Sequence, residues 1–252
     1  IVNSLKIILI SLRDVLRNLR EIFIFMINGG RYRAINEIKK NNYSSFMLNK
    51  IKANKSLIET GLRSIILDYV VELTKSLNNK KALKIVDYGG GIAMQATYIS
   101  KHNPKSEIFI YEQRDLVTGI SSLHTEFVNN LKSKKIIYKS SEDKIIYCDL
   151  ILFIGSLSYL PNTYDVLNDS KKKADVILIS RLPISNDLEE DIFVHDNSGN
   201  HSETIFSKSK FEEYLNNTFK LCRKYYEVEP KLSKRYPVSS VMVSSATYIL
   251  LK

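Results

Sequence analysis

The chain of 252 residues has no tryptophan, two cysteines, four histidines, five prolines and nine glycines. Each scarcity excludes something. Cys148 and Cys222 lie in different segments, so there is neither a secreted disulfide framework nor a Cys-x-x-Cys pair. With so few histidines and no His/Cys cluster, no metal site is expected. No apolar run reaches the roughly 18–20 residues that a membrane-spanning helix needs. No glycine is followed by Lys-Ser or Lys-Thr, which excludes a phosphate-binding P-loop. Internal repeats and long low-complexity segments are also missing. The cysteine usage predicts a reducing, cytosolic compartment.

Positive charge is abundant. Lysine and arginine number 37 against 27 aspartates and glutamates, a formal charge of +10. Such an excess favours an anionic neighbour, whether nucleic acid, phospholipid or acidic glycan, without choosing among them. Hydrophobic residues make up 44% and charged residues 25%, as in a folded domain with a sizeable core. Within residues 1–30, Leu5, Ile8, Leu9, Leu12, Leu16, Leu19 and Phe23 recur at helical spacing beside Arg13, Arg17 and Arg20. This predicts an amphipathic helix. It would either pack on the protein or lie through residues 1–27 on an anionic membrane, peripheral at its inner face. The chain begins without Met, and its start is read as incomplete.

Asn28-Gly29-Gly30 breaks the pattern. Residues 31–81 read as a helical appendage, with apolar periodicity from Leu57 to Leu77. From residue 82 to 252 strands alternate with helices. Strands are expected at Leu83–Val86, Glu107–Tyr111, Ile136–Tyr138, Asp149–Ile154 and Asp175–Ile179. Helices are expected at Ala93–Lys101, near Leu116–Leu131, and at Tyr164–Lys172 and Lys208–Thr218. Such alternation predicts a mostly parallel sheet between two helical layers. Leu182–Ser202 reads as a polar loop or lid over a site. Two last strand-like runs, Leu221–Val228 and Ser240–Leu251, predict a C-terminal antiparallel hairpin at one sheet edge. Tyr225, Tyr226 and Tyr236 are expected to pack on that edge.

The densest signal is Ile85-Val86-Asp87-Tyr88-Gly89-Gly90-Gly91, a strand entering a glycine turn. Glycine permits positive φ and lets backbone approach a ligand closely. The next strand closes on Glu112, whose paired acceptors suit the two hydroxyls of a ribose. A glycine turn after one strand and an acid ending the next is the layout of a nucleoside-cofactor pocket at the carboxyl ends of parallel strands. Asp87 can orient the turn or bind an ammonium group. Gln113 would lie near adenine, and Ser140, Ser141, Glu142 and Asp143 are candidates for its amino group. A dinucleotide fingerprint fits less well: the sixth position of Gly-x-Gly-x-x-Gly is Met94 counted from Gly89, or Ala96 counted from Gly91.

The run Ile85–Gly91 resembles motif I of class I S-adenosylmethionine-dependent methyltransferases, with Ala93 where their common pattern has a third glycine. The chain is more specifically similar to a bacterial methyltransferase family found near surface-polysaccharide genes. The matches, in order, are Asp87-Tyr88-Gly89-Gly90, Tyr111-Glu112-Gln113, Gly155-Ser156-Leu157-Ser158-Tyr159-Leu160-Pro161 and Ile179-Ser180-Arg181-Leu182-Pro183. They span about residues 30–220. That family often has tryptophan before the ribose-binding acid; here Tyr111 stands there.

The resemblance implies an α/β fold, a three-layer Rossmann-like class I methyltransferase sheet, with S-adenosylmethionine as cofactor. The acceptor it implies is a small-molecule or lipid-linked sugar or glycan precursor. Gly155 would begin the loop over the cofactor, and Ser156 and Tyr159 would line the place where methyl donor and acceptor meet. Arg181, at the same rim, has the planar fork that binds carboxylate or phosphate, unless it pairs with Asp187. His195 is the best candidate base, with His201 and His124 as alternatives. RNA methylation is a competing reading, but no aromatic–basic module or Asn-Pro-Pro-Tyr segment supports it, and nucleic acid is not an expected partner. A third reading is a non-catalytic scaffold that retains the fold.

Overall fold

The computed structural model describes residues 62–122, 129, 131, 133–195, 202–227 and 241–252. The amphipathic segment 1–30, most of the appendage, His124, His201, Tyr236 and the turn holding Pro230 and Pro237 lie outside them.

Helix α1 (Leu62–Asn78) presents Ile66, Leu67, Val70 and Val71 to the core. It stops where Asn79 turns left-handed, at φ 47°, and Lys80 N–H donates to the Lys75 carbonyl, a helix end that asparagine tolerates. Strand β1 (Lys84–Tyr88) then crosses the centre of the domain. Next come α2 (Met94–His102), β2 (Glu107–Glu112), α3 (Arg114–Ser121) and β3 (Ile136–Ser140). The helix expected near 116–131 is thus interrupted: α3 gives way to a turn at Ser122, and Asn129, Leu131 and Ser133 are helical again. Strand β4 (Leu150–Ile154) is buried along its whole length, as its unbroken apolar sequence requires.

A short 3-10 turn (Leu157–Tyr159) leads to α4 (Thr163–Lys173) and then to β5 (Val176–Ser185). Strand β6 (Ile192–His195), β7 (Ser202–Ser207), α5 (Lys208–Thr218), β8 (Lys220–Glu227) and β9 (Ser244–Leu251) complete the order.

Strands β3, β2, β1, β4 and β5 pair in that order, all parallel. β9 runs antiparallel to β5, and β8 antiparallel to β9. The expected C-terminal hairpin is therefore present. Its chain reversal after β5 makes this the class I methyltransferase sheet, Rossmann-like and mostly parallel. Side chains alternate between its two faces. Ile85, Ile108, Ile110, Leu150 and Leu152 meet α1 and α2 on one face. Val86, Ile151, Phe153, Ile177 and Ile179 meet Leu167 of α4 and Phe211 and Leu215 of α5 on the other. This gives the three expected layers.

Within Leu182–Ser202, read from its polarity as a loop or lid, the described residues include strand at 182–185, 192–195 and Ser202. β5 continues past a register shift between Ile179 and Leu182. β9 follows β5 on both sides of the shift, and β4 pairs only as far as Ser180. Beyond it, Ile184 and Ser185 pair parallel with Phe206 and Ser207 of β7, which carries β6 antiparallel beside it. The edge that β4 vacates is thus taken by an inserted hairpin. Ser207 Oγ donates to the Leu188 carbonyl at 2.8 Å, and Asp191 binds Ser207 N and the Tyr164 hydroxyl, fixing the base of the insertion on α4.

Candidate functional site

Parallel registration brings the carboxyl ends of five strands to one edge. Tyr88 is level with Tyr111, Glu112 with Ser140, and Ile154 with Ser180. Gly89–Gly91, Glu112, Ser140–Asp143, Gly155–Tyr159 and Arg181 therefore follow one another along a single rim. β1 lies between β2 and β4, where the chain changes direction of travel across the sheet and α/β proteins place ligands.

The glycine turn is built from backbone. Gly89 and Gly91 have φ values of 72° and 56°, a region where any Cβ is strained. Space also forbids side chains here. A Cβ on Gly89 would lie 2.4 Å from Ser156 Cβ, and one on Gly90 would lie 2.4 Å from an Asp87 carboxylate oxygen. Ala93, the departure from the motif, also adopts positive φ, 64°. A fully buried methyl group there accepts a conformation that costs about 1–2 kcal/mol.

Glu112 joins the turn to the next strand. Its Oε1 accepts from Gly91 N at 3.1 Å and its Oε2 from Gln113 N at 2.9 Å. A carboxylate presents paired acceptor oxygens, the chemistry that suits both the backbone N–H groups of the turn and a diol. Glu112 is 4% exposed. Gly89 N donates to the Tyr111 carbonyl, and the Tyr138 hydroxyl donates to the Gly91 carbonyl at 2.8 Å. Tyr88 stacks on Tyr111 at 5.9 Å and 5°. Burial first, then the negative charge of Glu112, hold the Tyr88 phenol above its ordinary pKa, so it is protonated at neutral pH. Neither Tyr88 nor Tyr138 stands out in the sequence as a site residue, because a tyrosine inside an apolar run reads as core.

The exit of β3 is less committed. Asp143 accepts from Ser140 N at 3.2 Å, which closes the turn. Glu142 is exposed and ion-paired with Arg114. Gln113 precedes α3 and is exposed.

On the other side of the turn, Gly155 (φ 67°) ends β4. Ser156 is buried against Gly89 and donates its hydroxyl to the Tyr88 carbonyl. In the 3-10 turn that follows, Tyr159 is 41% exposed at the rim. Ser158, by contrast, is buried and donates to Glu203 Oε2 at 2.9 Å. Glu203 belongs to β7 and is 3% exposed. It is a site-side acid that sequence reading passes over, because it sits in a strand the polar composition conceals. Thr163 ties the far end of the loop to the Leu157 and Leu160 carbonyls. His195 ends β6 opposite Ser202; its backbone thus belongs to the inserted hairpin and not to a loop.

Cys148 lies at the opposite end of the sheet. Burial pushes its thiol up to about 12, so it is not a nucleophile at neutral pH. An open cavity of about 310 Å³ at that end is lined by five lysines, among them Lys80 and Lys252, together with Asp149, Asp175, Tyr147 and Cys148. Among the described residues, no group of three or more His, Cys, Asp or Glu side chains is arranged to hold a metal. No helix there is long and apolar enough to cross a membrane.

No protein-family model matches the chain, and no curated protein matches it in sequence. Solved structures do match. The N-terminal domain of EvdMO1, crystallised in the presence of S-adenosylhomocysteine and D-fucose, is similar with a TM-score of 0.53 at 10% identity, over 84% of this chain and 99% of that one. The Burkholderia thailandensis 1,6-didemethyltoxoflavin-N1-methyltransferase, with its namesake compound and S-adenosylhomocysteine bound, gives 0.52 at 11% identity over 88% and 92%. Coclaurine N-methyltransferase, bound to N-methylheliamine and S-adenosylhomocysteine, gives 0.51 at 9% identity over 75% and 70%. At these identities the likeness is one of fold: the chain has the fold of class I S-adenosylmethionine-dependent methyltransferases.

Proposed function

We propose that the protein is an S-adenosylmethionine-dependent methyltransferase whose acceptor is a sugar or glycan precursor, free or lipid-linked, for surface-polysaccharide synthesis. One observation carries the reading: the hydrogen bond from Gly91 N to Glu112 Oε1, at the carboxyl edge of the sheet. It joins a turn that only glycines fit to an acid whose paired acceptors suit a ribose. The residues present fit the cofactor on chemical grounds. Glu112 takes the ribose hydroxyls, Gly89 and Gly91 offer backbone, Asp87 takes the ammonium group, and Gln113, Glu142 and Asp143 border the adenine.

When bound, adenosylmethionine supplies an electrophilic methyl group on a sulfonium that is already a good leaving group. The protein's work is then alignment and exclusion of water. Ser156, Tyr159 and Arg181 hold the acceptor against the turn, with Gly155 leaving room beside the donor. An acceptor hydroxyl methylated there would have to give up its proton to a base as its oxygen takes the methyl group and the donor sulfur leaves. His195 is the proposed base, with its backbone in the inserted hairpin.

The sugar assignment has two supports. One is the set of four short motifs shared with the polysaccharide-associated family. The other is the EvdMO1 domain, a fold relative crystallised in the presence of D-fucose. The rival scaffold reading requires a lost cofactor site, and the retained Gly89, Gly91 and Glu112 count against it. The test is transfer of label from methyl-tritiated adenosylmethionine to a panel of sugars and nucleotide sugars, with bulk RNA as the competing acceptor. Label in a sugar that disappears in His195→Ala supports the reading. Label in RNA alone overturns the acceptor class.

A further inference from the structure

The inference concerns Arg181 and rests on the methyl-transfer reading above. Arginine has no conformational reason to occupy this position. Its φ is 59°, a left-handed backbone that non-glycine residues seldom adopt and that clusters at functional sites. It stands at the register shift in β5, one residue beyond the last pairing with β4. Bulges of this kind re-aim a side chain.

The re-aimed side chain has a prepared bed. A Cβ built on Gly155 would lie 3.2 Å from Arg181 Nη1, 3.5 Å from Cζ and 3.6 Å from Cδ. The arginine therefore lies along the bare backbone of Gly155, which itself has φ 67°. The next residue, Ser156, abuts Gly89. The guanidinium is thus connected to the glycine turn through two adjacent residues, on the acceptor side of the rim.

The structural explanation would be an ion pair, and Asp187 is the obvious partner. Asp187 is engaged elsewhere, with Oδ2 accepting from Met242 N at 2.8 Å. Arg114, Lys80, Lys210 and Lys224 each face a carboxylate. The Arg181 side chain is exposed and makes no hydrogen bond or ion pair among the described residues. A strained backbone, a glycine bed and a planar fork free of internal acids together suit an oxyanion arriving from solution.

We propose that Arg181 determines specificity for an acceptor carrying an anionic group, carboxylate or phosphate, next to the hydroxyl that is methylated. The anionic group stands across Gly155 from the donor, and neutral sugars lack the contact.

The experiment is calorimetric titration of the full chain with glucose, glucuronate and glucose 1-phosphate, with and without saturating S-adenosylhomocysteine. Expected is at least tenfold tighter binding of one anionic sugar than of glucose. A preference for glucuronate assigns a carboxylate, and a preference for glucose 1-phosphate a phosphate. In Arg181→Gln the preference falls below twofold, and Arg181→Lys is intermediate because it keeps the charge without the fork. Arg181→Gly suits the backbone, so a folded protein that has lost the preference separates recognition from stability. Equal binding of the three sugars, no binding of either anion, or an undiminished preference in Arg181→Gln overturns the proposal. If S-adenosylhomocysteine does not bind while the Arg181-dependent preference persists, the methyl-transfer reading fails and the anion site stands.

Discussion

The two halves of the rim are held together by different means. On the β1–β2–β3 side, contacts run through backbone: Gly91 N and Gln113 N to Glu112, Gly89 N to the Tyr111 carbonyl, Tyr138 to the Gly91 carbonyl. On the β4–β5 side, side chains from distant segments do the holding: Ser158 to Glu203, Tyr164 to Asp191, Arg181 over Gly155. A pocket edged by backbone depends on few residue identities beyond glycine and one acid. It suits a ligand common to many enzymes. An edge made of side chains on an inserted hairpin can change while the sheet stays fixed. On the proposed reading, the donor half is therefore generic and the acceptor half particular to this chain.

Variants can break that contrast, and the largest effect belongs to the donor half. Gly89→Ala adds strain at φ 72° and a clash with Ser156. We expect a loss of about 2–4 kcal/mol of stability, read by urea unfolding, together with loss of adenosylmethionine binding in calorimetry. Glu112→Gln comes next. Both oxygens of Glu112 accept backbone N–H groups, and glutamine turns one acceptor into a donor. About 1–3 kcal/mol of cofactor affinity should go, a tenfold to hundredfold rise in Kd.

Glu203→Ala tests the other half. Removing the partner of buried Ser158 should cost about 1–3 kcal/mol of stability. It should leave cofactor Kd within about twofold, because neither Ser158 nor Glu203 bonds to the glycine turn or to Glu112 in any contact described above. Acceptor KM should rise. Equal damage to cofactor binding would erase the proposed division. The smallest effect is Arg181→Gly. Relief of about 1–2 kcal/mol of left-handed strain, offset by about 0.5–1 kcal/mol of chain entropy, should stabilise the protein slightly in urea unfolding.

The same contrast decides what the sequence makes readable. Asp87–Gly91 and Glu112 are legible because the motif is local: a strand, a turn that needs positive φ, and an acid one strand later. Each strand of the parallel core is an apolar run bounded by polar residues, so its existence is plain and its ends fall within a few residues. The continuation of β5 is not legible. The register shift at Arg181 breaks alternation, and Pro183 lacks the N–H that marks a central strand. The β6–β7 hairpin hides among acids, although Ile192-Phe193-Val194 and Thr204-Ile205-Phe206 are β-formers flanking Asp196-Asn197-Ser198-Gly199-Asn200, a run rich in turn residues. Apart from the acids before them, those runs carry a strand signal of their own. Their pairing with the end of β5 is a tertiary fact, as are the Ser158–Glu203 bond and the bed that Gly155 makes for Arg181.

The central claim is that the backbone-built half of the rim binds adenosylmethionine. Calorimetric titration of the purified chain with S-adenosylhomocysteine, beside Glu112→Ala, tests it most directly. The account predicts one saturable site in the wild type and its loss in the variant, with both proteins folded by circular dichroism. A folded wild-type protein that takes up no S-adenosylhomocysteine, or one whose binding is indifferent to Glu112, would contradict it.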